Sequence, residues 1–145
     1  MIKIVNNAPK YYESLLSLQD SALPSQDKMS RENFLDEFSL PTRKYFVALN
    51  DKDVCGYIGL FDCDNDYNII SFAVLPSMQR QGIGSMLLNK AKTYALALGK
   101  KSLSLEVDFS NNQAINFYKK HGFVVTNIRK KYYKDKDAFV MFLYL

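Results

Sequence analysis

A basic, glycine-punctuated loop between an apolar segment and an amphipathic helix is the feature that most constrains this chain. The loop reads QRQGIGS over residues 79–85, follows the apolar segment 69–75, and leads into a helix predicted from about Gly84 to Leu98. Glycines let a backbone approach a ligand closely, and the free amides at a helix N-terminus favour an anion. Arg80 adds a positive charge. The pattern predicts a strand, loop and helix that bind a phosphate or pyrophosphate.

Two nucleotide-binding motifs do not match this loop. A P-loop requires a lysine after its last glycine, whereas Ser85 follows Gly84. A dinucleotide fingerprint requires a third glycine, and Leu87 occupies that position. A plain turn that connects a strand to a helix stays open as an alternative for the loop alone.

A second block of residues with a recognisable pattern lies further along the chain, after the glycine loop. It consists of Leu105-Glu106-Val107 and the segment SNNQAINFYKKHGF at 110–123. Together the two blocks resemble the GNAT N-acetyltransferase superfamily, with its patterns [QR]-x-x-G-x-[GA] and LEV…N…A…Y…GF. The ending RKKYY…DA…M at 129–141 is similar to that of RimI-type ribosomal-protein alanine N-acetyltransferases. The resemblance covers residues 67–145, whereas residues 1–66 match only in their order of elements.

Turn residues and hydrophobic periodicity predict the order β-α-α-β-β-β-α-β-α-β-β. The predicted strands are 2–5, 44–49, 54–61, 67–75, 102–107, 123–133 and 138–145, and the predicted helices are 11–18, 30–38, 84–98 and 113–120. Strand 102–107 is reached through a helix, so it should run parallel to strand 67–75. We expect one α/β domain over residues 1–145, with a mixed sheet of about seven strands, which coincides with the GNAT fold.

Composition and charge limit the ligands and the cellular location that the protein can have. The chain carries a net charge of +4, which suits an anionic cofactor, an acidic partner or a nucleic acid. It has no apolar run long enough for a membrane span and no signal-peptide pattern, so we expect a cytoplasmic protein. Cys55 is expected in a buried strand and Cys63 in a loop. The run 62–66 resembles the start of a calcium loop, but Tyr67 replaces the glycine and Ala73 the glutamate of such a loop, and we predict no metal.

The resemblance implies acetyl-CoA as cosubstrate. In the family, the glycine loop holds the pyrophosphate, and the preceding strand pairs with the pantetheine arm through its backbone. An asparagine and a tyrosine of the second block also contact this cosubstrate. The matching residues are Phe72, Ala73, Val74, Gln79, Arg80, Gln81, Gly82, Ile83, Gly84, Ser85, Asn111 and Tyr118. Taken alone, Asn111 fits a helix cap equally well, and the apolar residues of the strand also fit simple packing.

Glu106 and Tyr118 are the candidate catalytic residues. Alternation along the strand puts Glu106 on the face opposite Leu105 and Val107, where a carboxylate needs a cleft or a partner. A phenol with a pKa of about 10 is protonated at neutral pH and can protonate a leaving thiolate. The resemblance makes Glu106 the general base and Tyr118 the general acid. A salt-bridged Glu106 and a Tyr118 that only packs on the sheet are the structural alternatives.

A basic, tyrosine-containing run, RKKYYKDK over residues 129–136, is the strongest charge cluster. Such a run is often the solvated face of a strand, and it can also contact RNA. In RimI-like enzymes the segment borders the acceptor groove, which implies a substrate-binding role for Arg129, Tyr132 and Tyr133. His121, at a helix end beside Gly122, is expected to cap that helix.

These patterns predict an N-acetyltransferase that transfers an acetyl group directly from acetyl-CoA to an amine, with the N-terminus of a ribosomal protein as the closest specific acceptor. Residues 20–43 lack the F-P-W-S segment of RimI-type enzymes, and Asp108 stands where arginine is frequent. A small amine or an antibiotic therefore remains an alternative acceptor. A CoA-binding regulator and an RNA-binding module are the alternatives without catalysis. The protein could be a monomer or a homodimer.

Overall fold

The structure is a computed structural model, and it describes residues 1–133 and 136–145, with the side chain of Tyr133 outside the described part. Its strands form a single mixed sheet. They are β1 (Ile2–Val5), β2 (Arg43–Asn50), β3 (Asp53–Cys63), β4 (Asp66–Val74), β5 (Ser102–Asp108), β6 (Val124–Tyr133) and β7 (Lys136–Tyr144).

Helices connect these strands at the predicted places. They are α1 (Tyr12–Ala22), α2 (Arg31–Ser39), α3 (Ile83–Ala97) and α4 (Asn112–Lys120), with short 3₁₀ turns at Ala8–Tyr11, Ser25–Asp27 and Pro76–Met78. Ser30 caps α2 as predicted, because its hydroxyl accepts a hydrogen bond from the Asn33 amide at 3.1 Å.

The sheet has the order β1-β2-β3-β4-β5-β7-β6. Strands β4 and β5 run parallel, and every other neighbouring pair is antiparallel. The predicted element order, the mixed sheet of about seven strands and the parallel β4–β5 pair are therefore confirmed.

Strands β4 and β5 separate soon after they meet. Their pairing covers only Asp66–Asn68 against Ser102–Ser104. Just beyond it, the register of β4 against β3 shifts, which leaves Ile70 as an extra residue in a β-bulge. A bulge bends and twists the strand that carries it. Within the described residues, the edge of β4 from Ile69 to Val74 consequently has no strand partner on the β5 side.

Two hydrophobic cores flank the sheet. On one face, residues of α3 and α4 such as Leu87 and Ile115 pack against Leu103 and Leu105 of β5. On the other face, α1 and α2 pack over β2 and β3, with Phe34 fully buried. The two layers place the N-terminus of α3 on one side of the diverging strands and the segment between α1 and α2 on the other side.

The hairpin between β3 and β4 is tighter than predicted. Cys63, expected in a loop, is exposed but is the last residue of β3, so that prediction was wrong. The Asp64 amide donates to the Asp62 side chain at 3.0 Å, and Lys100 forms an ion pair with the same carboxylate. These contacts restrict the turn to fewer residues and let both strands continue. Cys55 is buried in β3 as predicted.

Candidate active site

The N-terminus of α3 presents free backbone amides to the loop in front of it. Gly82 stands at the N-cap with φ of +84°, a conformation that favours glycine, and no side chain caps the helix. The first hydrogen bond of the helix runs from the Met86 amide to the Gly82 carbonyl at 3.0 Å. The amides of Ile83, Gly84 and Ser85 therefore have no partner inside the helix and can bind an anion.

The rest of the loop supplies a cation and a link to β4. Arg80 is exposed and has φ of +66°, so the chain turns sharply at this residue. The side chain of Gln79 donates to the carbonyl of Val74 at 3.1 Å, which ties the loop to the end of β4. Gln81 is exposed beside them. The loop thus places a positive charge next to the free amides.

Close packing against α4 holds the start of α3 in place. A Cβ atom at Gly84 would lie 3.4 Å from the ring of Phe117, an ordinary van der Waals distance, so the two helices are in contact at this position. The Ser85 hydroxyl and His121 Nε2 lie 3.0 Å apart and form a second link. Burial lowers the pKa of His121, which favours the neutral ring. His121 is the C-cap residue of α4, as predicted.

The unpaired edge of β4 continues this surface into the sheet. Phe72 and Val74 lie on it, and the Phe72 ring packs 5.9 Å from Phe117 and 6.3 Å from Tyr118, measured between centroids. The side chain of Ala73 points to the other core. The free edge, the loop and the helix N-terminus form one groove that can hold an extended ligand ending in phosphates.

Tyr118 lies on α4 beside the groove, with only 9% of the residue exposed. In the part of the chain that the structure describes, its hydroxyl has no hydrogen-bond partner. Burial, and secondarily the negative charge of Asp27, raises the pKa of Tyr118. The phenol is therefore protonated at neutral pH, and its proton can be given to a ligand in the groove.

Glu106 lies near the middle of β5, on the strand opposite the free edge of β4. Its carboxylate accepts a hydrogen bond from Asn68 Nδ2 at 3.4 Å and lies 3.4 Å from Arg129 Nη1. About 21% of its side chain is exposed, while Leu105 and Val107 point into the core. Glu106 is both paired and accessible to solvent. Its surroundings therefore fit a salt-bridged carboxylate and also a carboxylate that opens on a cleft.

Of the remaining predicted site residues, Asn111 caps a helix, and Arg129 and Tyr132 lie on the protein surface. Asn111 caps α4 by accepting from the Ala114 amide at 3.2 Å. Arg129 and Tyr132 are exposed, with the guanidinium 4.2 Å from the ring centroid. The side chain of Tyr133 lies outside the described residues. The structure brings Arg129 to Glu106 and leaves Asn111 on the α4 side of the groove.

The sequence matches a known protein family, and the fold matches solved structures of acetyltransferases. Residues 11–123 match the family described as Acetyltransferase (GNAT) family. The chain belongs to the GNAT acetyltransferase family. As a family member, it is an N-acetyltransferase with acetyl-CoA as its cosubstrate.

This acetyltransferase is similar to several individual proteins of the family. It is 34% identical, over 71% of its length and 70% of the relative's, to a putative [ribosomal protein bS18]-alanine N-acetyltransferase of Bacillus subtilis. It shares the fold of the ribosomal-protein-S18-alanine N-acetyltransferase from Escherichia coli, with a TM-score of 0.91, 24% identity, and coverage of 99% and 94%. It also shares the fold of PaiA N-acetyltransferase from Thermoplasma acidophilum, solved with coenzyme A, with a TM-score of 0.86, 21% identity, and coverage of 100% and 99%.

The sequence-based predictions of site residues did not include Asp27 of this acetyltransferase, or Asp108 and Tyr57, whose charges interact with it. Asp27 lies in the 3₁₀ turn between α1 and α2, Asp108 ends β5, and Tyr57 is buried in β3. The charge of Asp27 acts on the phenols of both Tyr57 and Tyr118. Nothing in the local sequence around Asp27 marks it, because its position depends on how the α1–α2 segment crosses the sheet. Asp108 was noticed only as a departure from the family pattern.

The described residues contain neither a metal-binding cluster nor a membrane-spanning helix. No group of three or more His, Cys, Asp or Glu side chains in residues 1–133 and 136–145 is arranged to hold a metal ion. In the same part of the acetyltransferase, no helix combines the length and apolar character that crossing a membrane requires.

Proposed function

We propose that this acetyltransferase moves the acetyl group of acetyl-CoA directly to the N-terminal α-amine of a protein, with a ribosomal protein as the first candidate. The observation that supports direct transfer is the pair of groups at the diverging strands. Glu106 lies on β5, and the unpartnered phenol of Tyr118 lies beside the free edge of β4. A proton acceptor and a proton donor thus border one groove, with no nucleophile required between them.

The donor occupies the groove between the strands in this proposal. The amides at the start of α3 and the Arg80 side chain bind the pyrophosphate. The backbone of residues 72–74 pairs with the pantetheine arm, which the free edge of β4 supports. Asn111 adds a hydrogen bond to that arm through its amide nitrogen, because its oxygen is engaged in capping α4. Gln79, Gln81 and Gly82 shape the loop.

The reaction needs one attack and two proton transfers. The neutral amine attacks the thioester carbonyl, a C–N bond forms, and the C–S bond breaks. Glu106 accepts the proton of the amine, directly or through a water molecule. Tyr118 gives its proton to the departing thiolate, and the raised pKa of its phenol keeps that proton in place until then.

An α-amine is the acceptor that the chemistry favours. Its pKa is about 8, whereas that of a lysine amine is about 10.4, so it is more readily deprotonated at neutral pH. The Bacillus subtilis relative, which acts on a ribosomal-protein alanine according to its name, supports the same acceptor. Arg129, Tyr132 and Tyr133 border the acceptor side of Glu106 in this proposal, and the contact between Arg129 and Glu106 supports that placement.

The test is thiol release from acetyl-CoA across a panel of acceptors. The panel contains an alanine-starting peptide from a ribosomal protein, the same peptide with a blocked α-amine and an internal lysine, polyamines and aminoglycosides. We expect turnover of the first peptide and none of the blocked one, with the acetyl group located on the α-amine by mass spectrometry.

The outcomes separate the alternatives. Turnover confined to polyamines or aminoglycosides would replace the protein acceptor by a small amine. CoA binding without turnover of any acceptor would contradict the enzymatic proposal and indicate a regulator. RNA binding without CoA binding would indicate the nucleic-acid module. We further propose that residues 1–145 act as one cytoplasmic domain, as a monomer or a homodimer.

A further inference from the structure

One buried residue of α1 binds both ends of the α1–α2 segment, residues 23–29. Gln19 is only 1% exposed. Its side-chain Nε2 donates to the carbonyl of Met29 at 2.6 Å, and its Oε1 accepts from the amide of Met29 at 3.0 Å. Its backbone carbonyl accepts from the amide of Leu23 at 3.0 Å. The two ends of the segment are therefore bonded to the same residue.

The bond pair between Gln19 and Met29 requires an amide side chain. Met29 offers one backbone donor and one backbone acceptor, and an amide has an acceptor and a donor side by side to match them. An aliphatic side chain has neither group, and a carboxylate has no donor. A buried backbone group that loses its partner destabilises the fold. Substitution of Gln19 would release the segment at Met29, whereas the bond to Leu23, made by the backbone, would remain.

The α1–α2 segment has little burial of its own. Leu23 and Met29, at its two ends, are partly buried against the core beneath α1 and α2, and most residues between them are exposed. Lys28 forms an exposed ion pair with Asp20 at 3.9 Å, and such pairs contribute little to stability. The position of the segment consequently depends on the hydrogen bonds that Gln19 makes.

The segment lies on the face of the sheet that carries Glu106. Gln26, within its 3₁₀ turn, donates from Nε2 to Asp108 Oδ2 at 3.3 Å. Asp108 and Glu106 are two residues apart on β5, so their side chains leave the same face about 7 Å apart. Leu105 and Val107 point to the opposite face, into the core beneath α3 and α4. An acceptor that reaches Glu106 therefore approaches along the α1–α2 segment.

We infer that Gln19 is a positioning residue for the acceptor, because its side-chain amide fixes the α1–α2 segment beside Glu106 before the acceptor binds. The inference rests on the proposed transfer at Glu106 and adds a buried residue that controls acceptor binding from behind the segment. An ordered segment removes the ordering cost that would otherwise reduce the binding free energy. Because this cost falls on the binding step, Gln19 acts on the KM and Kd of the acceptor and leaves kcat nearly unchanged.

The experiment compares Gln19→Leu with a variant that weakens α1 in another way. Gln19→Leu keeps an aliphatic side chain of similar length and removes both bonds to Met29. Leu15→Ala, one turn earlier on α1 and fully buried, lowers stability without touching those bonds. For the wild type and both variants we measure kcat and KM with the alanine-starting ribosomal-protein peptide. Calorimetry gives the affinities for that peptide and for CoA, and thermal unfolding gives Tm.

The two variants should separate acceptor binding from stability. Gln19→Leu should raise the KM and Kd of the peptide by about tenfold, the effect of about one net hydrogen bond, with kcat changed by less than about twofold. CoA affinity should be unchanged, because residues 72–85 form the donor side. Leu15→Ala should lower Tm and leave the KM and Kd of the peptide unchanged. Loss of stability alone reduces the amount of folded enzyme, which lowers the apparent kcat and not KM.

Hydrogen exchange tests the link in the absence of any acceptor. The Met29 amide donates to Gln19 Oε1, so it should exchange at least about tenfold faster in Gln19→Leu. The Leu23 amide donates to the backbone carbonyl of residue 19 in every variant and is the internal reference. The ratio of the two exchange rates should therefore change in Gln19→Leu and stay at its wild-type value in Leu15→Ala.

The two proposals fail in different ways. An unchanged exchange ratio, an unchanged peptide Kd in Gln19→Leu, or an equal rise of Kd in Leu15→Ala would each overturn the role of Gln19, even if the protein acetylates α-amines. Weaker peptide binding in Gln19→Leu without turnover by the wild type would support that role and contradict the proposed transfer. If the wild type acetylates only a small amine, the KM of that amine replaces that of the peptide, and the same comparison decides.

Discussion

The proposed donor and acceptor sides of the groove are built by different means. The donor side comes from one continuous segment, residues 72–85, in which the edge of β4 and the start of α3 present backbone groups. The acceptor side comes from the turn Ser25–Asp27, the end of β5 and the start of β6–β7 pairing, which meet only in the folded chain. A backbone site requires glycines at fixed spacing, whereas a site made of side chains from distant segments leaves no local pattern.

The largest effect is expected at Glu106, where the two sides meet. Glu106→Gln keeps the shape of the side chain and removes its ability to accept a proton. We expect kcat/KM to fall by about 10²–10⁴, the usual contribution of a general base. Steady-state thiol release with the α-amine peptide measures this loss, and calorimetry should show unchanged CoA affinity. A variant that keeps more than half of its activity would exclude Glu106 as the base.

Removing the phenol of Tyr118 tests the donor side of the same reaction. Tyr118→Phe keeps the ring contacts with Phe72 and Phe123 and should lower kcat by about 10², because the thiolate then leaves without its proton. The raised pKa of Tyr118 lies above its ordinary value of about 10, so its ionisation should not limit kcat below about pH 10. A wild-type rate that falls with a pKa near 8 and no longer does so in Tyr118→Phe would contradict this assignment.

Substitution of Arg80 tests how much a side chain contributes to CoA binding on the donor side. Arg80→Ala leaves the free amides of α3 in place and should weaken CoA binding by about tenfold, the effect of one charged hydrogen bond. The loss should shrink at high salt because ions screen an exposed charge. Lys52→Ala, in the exposed turn between β2 and β3, is the matched control and should bind CoA normally. Equal affinities for the two variants would mean that the backbone alone holds the pyrophosphate.

The smallest effect concerns stability on the acceptor side. The pKa of Asp27 is raised in the folded state, so its ionisation lowers the free energy of unfolding as the pH rises through that pKa. Asp27→Asn should therefore raise Tm at pH 7 by about 2 °C and have no such effect near pH 3, where the carboxyl is protonated in both states. Thermal unfolding at the two pH values measures the difference. A lower Tm at pH 7 would show that Asp27 stabilises the fold.

Much of the fold was predictable because local signals carry it. Turn residues and helix caps such as Ser30 fixed the order of elements, and a helical connection required β4 and β5 to be parallel. The bulge at Ile70 was not predictable from β4 itself, since that strand contains no glycine or proline. The position of Cys63 was predicted wrongly because Lys100, far along the chain, tightens the hairpin through Asp62.

The parts of the site that come from one continuous segment were predictable, and the parts that join distant segments were not. The glycine loop and the helix N-terminus follow from spacing alone, whereas the pairing of Glu106 with Arg129 joins strands that are not neighbours in sequence. The position of Asp27 depends on the path of the α1–α2 segment across the sheet. Such placements are set by packing between layers, which a single sequence does not display.

The bulge at Ile70 also has a thermodynamic consequence. It leaves a sheet edge open in the middle of the fold, so the bound pantetheine arm would act as a removable strand. Any ligand that binds only the folded state stabilises it, by about 2.7 kcal/mol at a hundredfold excess over Kd. The amides of Phe72 and Val74 point to the open edge, because they alternate with amides that face β3, as that of Leu75 does in donating to the Cys55 carbonyl. These two amides should then exchange with solvent in the free protein and become protected with CoA. The cosubstrate would be part of the architecture during each turnover, and its departure would reopen the sheet.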